Sequence, residues 1–183
     1  MTMKPKIVKI NKSLVGKSVP HRATGVTGQY VEKLHAEIGM PVQPGKGPDY
    51  PNHDLEMKSK DVDSTSAWAI GTMTREDIIN TPYKNSPIKD KLQQHYHVYH
   101  KDSVITDQKL YDFRSDYIQE RFEEAYEESR QKIINGESGY VSGTTYGYFE
   151  AKKSGYQFRI SVGAMEKIKT MANPHFDNLF EPA

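Results

Sequence analysis

From Gly28 onward apolar residues recur at three- and four-residue spacing, at Tyr30, Val31, Leu34 and Ile38, which predicts a helix that stops at Gly39. Residues 41–48 are dense in proline and glycine and read as a loop. Over residues 53–60 polar and apolar positions alternate, the period of a strand whose Leu55 and Met57 face a core. Residues 66–73 predict a second strand, residues 74–77 open a short helix or turn, and alternation returns over residues 95–100. A long acidic amphipathic helix is predicted over residues 110–134, with Ile118, Phe122, Ala125 and Tyr126 on its inner side. Two more strands, residues 144–151 and 156–160, and a helix over residues 162–171 follow. The order predicts an α/β chain with a mixed sheet flanked by helices. Residues 1–27 mix lysine with glycine, proline and valine and read as an irregular basic arm. With no internal repeat, low-complexity tract or long linker, residues 1–183 are expected to form one domain.

Composition narrows the class. Hydrophobic residues make up 36% of the 183, and no apolar run approaches the roughly 18 residues of a membrane span. The first twelve residues lack the apolar stretch of a signal peptide. The chain has no cysteine, which removes disulfide scaffolds, thiolate zinc sites and cysteine nucleophiles. A cytoplasmic, intracellular protein with no membrane partner is therefore expected. The net charge of +1 hides an uneven distribution. Residues 1–31 carry six lysines or arginines and no acid, and residues 151–170 carry five basic residues against Glu166. Between them, residues 116–128 hold six acids and Arg121. A polyanion needs a local positive surface rather than a positive total, so this charge pattern permits nucleic acid. Lysine-rich ends that merely aid solubility explain it equally well.

The informative segment is residues 47–58, Gly-Pro-Asp-Tyr-Pro-Asn-His-Asp-Leu-Glu-Met-Lys. On a strand Glu56 and Lys58 share one face. Asp49, at a proline-bounded turn before the strand, can bring its carboxylate beside that of Glu56. Two carboxylates with a lysine alongside suit a hard divalent cation. The lysine can then position a water and offset charge, which is what phosphodiester hydrolysis requires. Plain cross-strand charge pairing produces the same acid-x-acid-x-lysine pattern on exposed strands. Asp54 shares the alternation of Glu56 and Lys58, and it competes with Asp49 for the ligand role.

Pro48-Asp49 followed by Glu56-Met57-Lys58 resembles the Pro-Asp…(Asp/Glu)-x-Lys signature of the restriction-endonuclease-like nuclease superfamily. Within it the chain is most similar to the MutH branch and related type II restriction enzymes. There a glycine-led helix carrying a glutamate precedes the motif, as Gly28 to Gly39 with Glu32 does here. Residues 66–73, 86–92 and 155–160 resemble later blocks of these enzymes in the same order. The resemblance implies a restriction-endonuclease-like fold with a mixed sheet of about five strands and helices on both sides. It implies Asp49 and Glu56 as ligands of Mg²⁺, with a Met57 carbonyl beside them. Lys58 becomes the catalytic lysine, Glu32 an accessory acid and Lys91 a second phosphate-contacting lysine. It favours Asp49 over Asp54, because the family's aspartate follows a proline in a turn before the strand.

The activity implied is sequence-specific, Mg²⁺-dependent hydrolysis of double-stranded DNA. Lys46, Lys152, Tyr156 and Arg159 are the further DNA-binding candidates, with readout expected from residues 83–100 and 140–160. A monomer is expected, as enzymes of that branch often act, and an active dimer stays open. Two alternatives stand: a strand-nicking repair or homing-type endonuclease, and a non-catalytic DNA-binding module with a vestigial motif. His95, His97 and His100 superficially form a metal box, but no third ligand shares the strand face of His95 and His97, and an amphipathic strand explains them better. Gly45-Lys46-Gly47 lacks the lysine-serine/threonine ending of a phosphate-binding loop.

Overall fold

The structure, a computed structural model, describes residues 54–143 and 145–172 together with Val15, Gly16, Ser18, Glu32, Lys33 and residues 47–49. Most of the basic arm, most of the helix expected over residues 28–39, and Lys46 lie outside the described residues. Along the chain the elements are β1 (Leu55–Asp61), β2 (Trp68–Met73), α1 (Arg75–Asn80), a 3-10 turn (Tyr83–Asn85) and α2 (Pro87–Asp90). After these come β3 (Gln94–Lys101), β4 (Val104–Asp112), α3 (Asp116–Ile134), β5 (Tyr148–Lys152), β6 (Gly155–Ile160) and α4 (Val162–Met171). The chain is thus mixed α/β. Its described strands form two three-stranded sheets rather than one sheet of about five. The elements gather into two compact units, one built on residues 54–64 and 94–112, the other on residues 65–93 and 113–172. No described helix is long and apolar enough to cross a membrane.

The first unit carries the sheet β1-β3-β4, with β1 parallel to β3 and β3 antiparallel to β4. A parallel pair needs a long crossover, and here the chain between β1 and β3 runs through β2, α1 and α2. β3 and β4 instead join through a two-residue turn, Asp102-Ser103, with both φ angles positive (50° and 65°). That is the primed turn whose twist matches a hairpin. Leu55, Met57, Tyr96, Val98 and Leu110 are buried along one sheet face. Of the arm, Gly16 N–H donates to the Ile105 carbonyl at 2.8 Å, and Ser18 bridges to Val104 on β4.

The second unit carries the antiparallel sheet β2-β6-β5 and all four helices. Each helix begins behind a hydroxyl that accepts from a backbone N–H in its first turn: Thr74, Ser86, Ser115 and Ser161. The core is aromatic, with Tyr126 of α3 against Phe149 and Phe158 of the sheet at ring-centroid distances of 5.2 and 6.0 Å. Arg130 of α3 donates to the Ile78 and Ile79 carbonyls at 2.8 and 2.7 Å, which satisfies the C-terminal end of α1. Arg130→Met keeps the apolar stem and removes both donors. It is expected to lower unfolding free energy by about 2 kcal/mol in urea titration; an unchanged midpoint would show these bonds to be replaceable by water.

The expected helix over residues 110–134 begins later than its spacing suggests. Leu110 ends β4, Phe113 donates its N–H to the Gln93 carbonyl at 2.9 Å, and α3 starts only behind Ser115. Leu110 satisfies a helical stripe as well as a strand face, and strand pairing with β3 takes it.

Candidate active site

β1 is the outer strand of its sheet among the described residues, and its edge faces Asp49. The Asp49 carboxylate accepts a hydrogen bond from Met57 N–H at 2.9 Å. In a strand, N–H and C=O of one residue point to the same side, so the Met57 carbonyl is directed toward that edge as well. Glu56, next to this contact, is buried, its side chain 3% exposed, and its Oε2 lies 4.0 Å from Lys58 Nζ. Lys58 is 22% exposed, so the ammonium reaches toward solvent along an otherwise closed face. Proline before Asp49 and alternation after Leu55 are the local causes: one bends the chain back onto the strand, the other turns Glu56 and Lys58 to one face.

Asp54 stands differently. Its φ of +50° places it in a left-handed turn just before β1, and it is exposed. Aspartate tolerates that conformation better than most residues. The strand alternation that would align Asp54 with Glu56 therefore begins one residue too late for it. Of the two competing aspartates, Asp49 is the one held against β1.

Glu32 is half-buried in helical backbone. Burial raises the pKa of its carboxyl, the Asp49 charge raises it further, and the Lys58 ammonium pulls it down. Glu32 thus feels both ends of the Asp49–Lys58 pair. Because the folded carboxyl holds its proton more tightly than the unfolded one, its contribution to stability is present below the ordinary glutamate range and lost as pH rises through the folded pKa. Asp49→Asn is expected to move the Glu32 titration to lower pH and Lys58→Met to higher pH, read by carbon-13 titration of the Glu32 carboxyl. Identical curves in parent and both variants would remove Glu32 from the site.

The polar face of the sheet extends beyond these residues. Glu56 is in register with His95 and Lys58 with His97 across β1 and β3; Tyr111 and Lys109 of β4 continue the same two rows. His95 and His97 are both fully buried, and Glu56 is 2% exposed. The histidines bond to each other rather than converge on a shared centre, and His100 lies 3.7 Å from Asp61. Among the described residues no group of three or more metal-ligating side chains is close enough to enclose an ion. The alternation of His95, His97 and Tyr99 was visible in the sequence. Their burial beside Glu56 was not, since it depends on which strand pairs with β3.

The DNA-contact candidates lie in the second unit. Lys91 follows α2, its side chain running past Gly71, where an added Cβ would sit 3.4 Å from Lys91 Cδ. Arg159 and Lys152 both reach Glu150, at 3.3 Å each, and Arg159 also donates to the Ala67 carbonyl at 3.4 Å. Tyr156 is two residues from the buried Phe158 and shares its face of β6, opposite Arg159. Tyr156 and Arg159 therefore do not form one contact surface.

No protein-family model matches the chain, and no curated protein matches it in sequence.

Proposed function

We propose that the chain is a Mg²⁺-dependent endonuclease of the restriction-endonuclease-like fold that hydrolyses phosphodiester bonds in double-stranded DNA. The observation that carries this reading is the Asp49 carboxylate held on Met57 N–H, beside the Glu56–Lys58 pair. The crossover from β1 through the basic segment at Lys89 and Lys91 to the parallel strand β3 supports the fold reading, because it keeps the block order of the resemblance.

The donor set fits the metal. Asp49, Glu56 and the Met57 carbonyl are hard oxygen donors, and Mg²⁺ is commonly held by one or two carboxylates with water and phosphate oxygens completing its shell. Bound there, it would supply polarisation of a phosphoryl oxygen and acidify a water. Asp49 and Glu56 hold the site's negative charge at the strand edge. Lys58 offsets part of that charge, orients the attacking water with the scissile phosphate, and neutralises charge that grows on the phosphoryl group. Glu32, whose carboxyl keeps its proton more readily than an ordinary glutamate, serves as an accessory acid near the departing 3′ oxygen. Lys91, Lys152 and Arg159 are phosphate-contact candidates, so binding should weaken steeply with salt.

The test is incubation of the full chain with supercoiled DNA carrying many sequence contexts, in Mg²⁺ or in EDTA, beside Lys58→Ala. Discrete metal-dependent fragments that disappear in the variant support the reading. Open-circular product alone points to a nicking enzyme. No cleavage of modified or unmodified DNA, with salt-sensitive binding intact, replaces the reading with a non-catalytic binding module.

A further inference from the structure

Two histidines and a tyrosine alternate along β3 and meet end to end. His95 Nδ1 lies 3.2 Å from His97 Nε2, and His97 Nδ1 lies 3.1 Å from the Tyr99 hydroxyl. Both imidazoles are fully buried and Tyr99 is half-buried, so the row runs from the sheet interior toward solvent. Its inner end stands beside Glu56, the register partner of His95 on the parallel strand β1. The groups that face the row are Glu56, Lys58 and Lys60 of β1 and Asp107, Lys109 and Tyr111 of β4, with the Tyr111 ring 5.1 Å from that of His97. Valine or leucine would fill such positions without polar cost. Burying two imidazoles demands a partner for each ring nitrogen.

Facing ring nitrogens share one proton, so the tautomer of one ring dictates that of the next. The row has two self-consistent arrangements. In the first, the Tyr99 hydroxyl donates to His97 Nδ1, His97 Nε2–H donates to His95 Nδ1, and His95 presents Nε2–H at its far side. In the second every bond is reversed, and His95 presents an acceptor. An ionised carboxylate only accepts. Glu56 beside His95 therefore selects the first arrangement.

We propose that His95, His97 and Tyr99 are positioning residues for Glu56. The row holds His95 as the Nε2–H tautomer, which donates to one oxygen of the Glu56 carboxylate and leaves the other directed to the strand edge where Asp49 is held. The consequence for metal binding rests on the nuclease reading above; the tautomer order does not. Tyr99 sets the direction of the row from its outer end, two residues beyond His97.

Nitrogen-15 long-range spectra of the histidine rings test this in the full chain without DNA or metal. The parent should show His95 and His97 both protonated on Nε2. Glu56→Gln, whose amide donates as well as accepts, should shift both rings toward Nδ1 protonation, and Tyr99→Phe should do so at His97. Rings unchanged in Glu56→Gln, or Nδ1–H at His97 in the parent, overturn the proposal. Calorimetric titration with Mn²⁺ supplies the second readout. Tyr99→Phe should weaken binding about 10-fold, the scale on which groups that orient a metal ligand act, with an unchanged thermal midpoint. A lowered midpoint with unchanged affinity marks a purely structural tyrosine and overturns the proposal. The two readings fail separately. A tautomer switch in a chain that cuts no DNA removes the nuclease and keeps the row, and active cleavage with tautomers indifferent to Glu56 does the reverse.

Discussion

Glu56→Gln is expected to abolish metal-dependent cleavage while leaving the chain at least as stable as the parent. The two effects have one cause. The Glu56 side chain is 3% exposed, and its nearest cation, Lys58 Nζ, is 4.0 Å away with solvent access of its own. A charge held there bears a desolvation cost that a long ion pair offsets only in part. Glutamine keeps the shape and an acceptor oxygen and removes the charge. The urea midpoint should therefore hold or rise. Cleavage should fall by more than about 100-fold, because losing a group that only orients a metal ligand already costs about 10–100-fold. Sites kept for chemistry commonly trade stability for it. A lowered midpoint accompanying the lost activity would trace both to unfolding and take Glu56 out of the ligand role.

Phe158→Ala should produce the largest stability loss in the second unit. The ring is fully buried, 5.1 Å from Phe149 and 6.0 Å from Tyr126 by ring centroid. Truncating it leaves a cavity between a helix and two strands, at a cost of about 3–5 kcal/mol. For a chain of this size that lowers the thermal midpoint by roughly 6–20 °C. Gly147 makes the prediction sharper. Its φ is +153°, and an added Cβ would land on the Phe158 ring. Gly147→Ala alone should destabilise through both strain and overlap, and in the Phe158→Ala background the overlap disappears. The double variant is expected to lose about 0.5–3 kcal/mol less than the sum of the singles. Strict additivity in a urea-denaturation cycle would separate the two residues.

Local features carried much of the fold. Period-two alternation marks β1 and β3, hydroxyls stand at the starts of all four helices, and the boundaries of α4 agree with the spacing that predicts it. β4 escaped because its opening turn, Asp102-Ser103, uses positive φ without the asparagine-glycine pair that usually announces it. Its last apolar residue, Leu110, also fits the phase of the helix that follows. The division into two sheets was equally hidden. β2 follows β1 in sequence but pairs with β6, some 90 residues later, and nothing in either segment names its partner.

At the site the same boundary applies. Sequence by itself determined that Asp49 sits in a proline turn before a strand and that Glu56 and Lys58 share one side of it, because proline sterics and strand alternation act over a few residues. Tertiary structure decided between Asp49 and Asp54, through the Met57 N–H that receives one and the left-handed turn that exposes the other. It also converted His95, His97 and Tyr99 from a polar-looking strand into a buried row beside Glu56. Pairing joins residues about 40 positions apart, and burial follows from pairing. Neither is a property of the segment that carries the side chains.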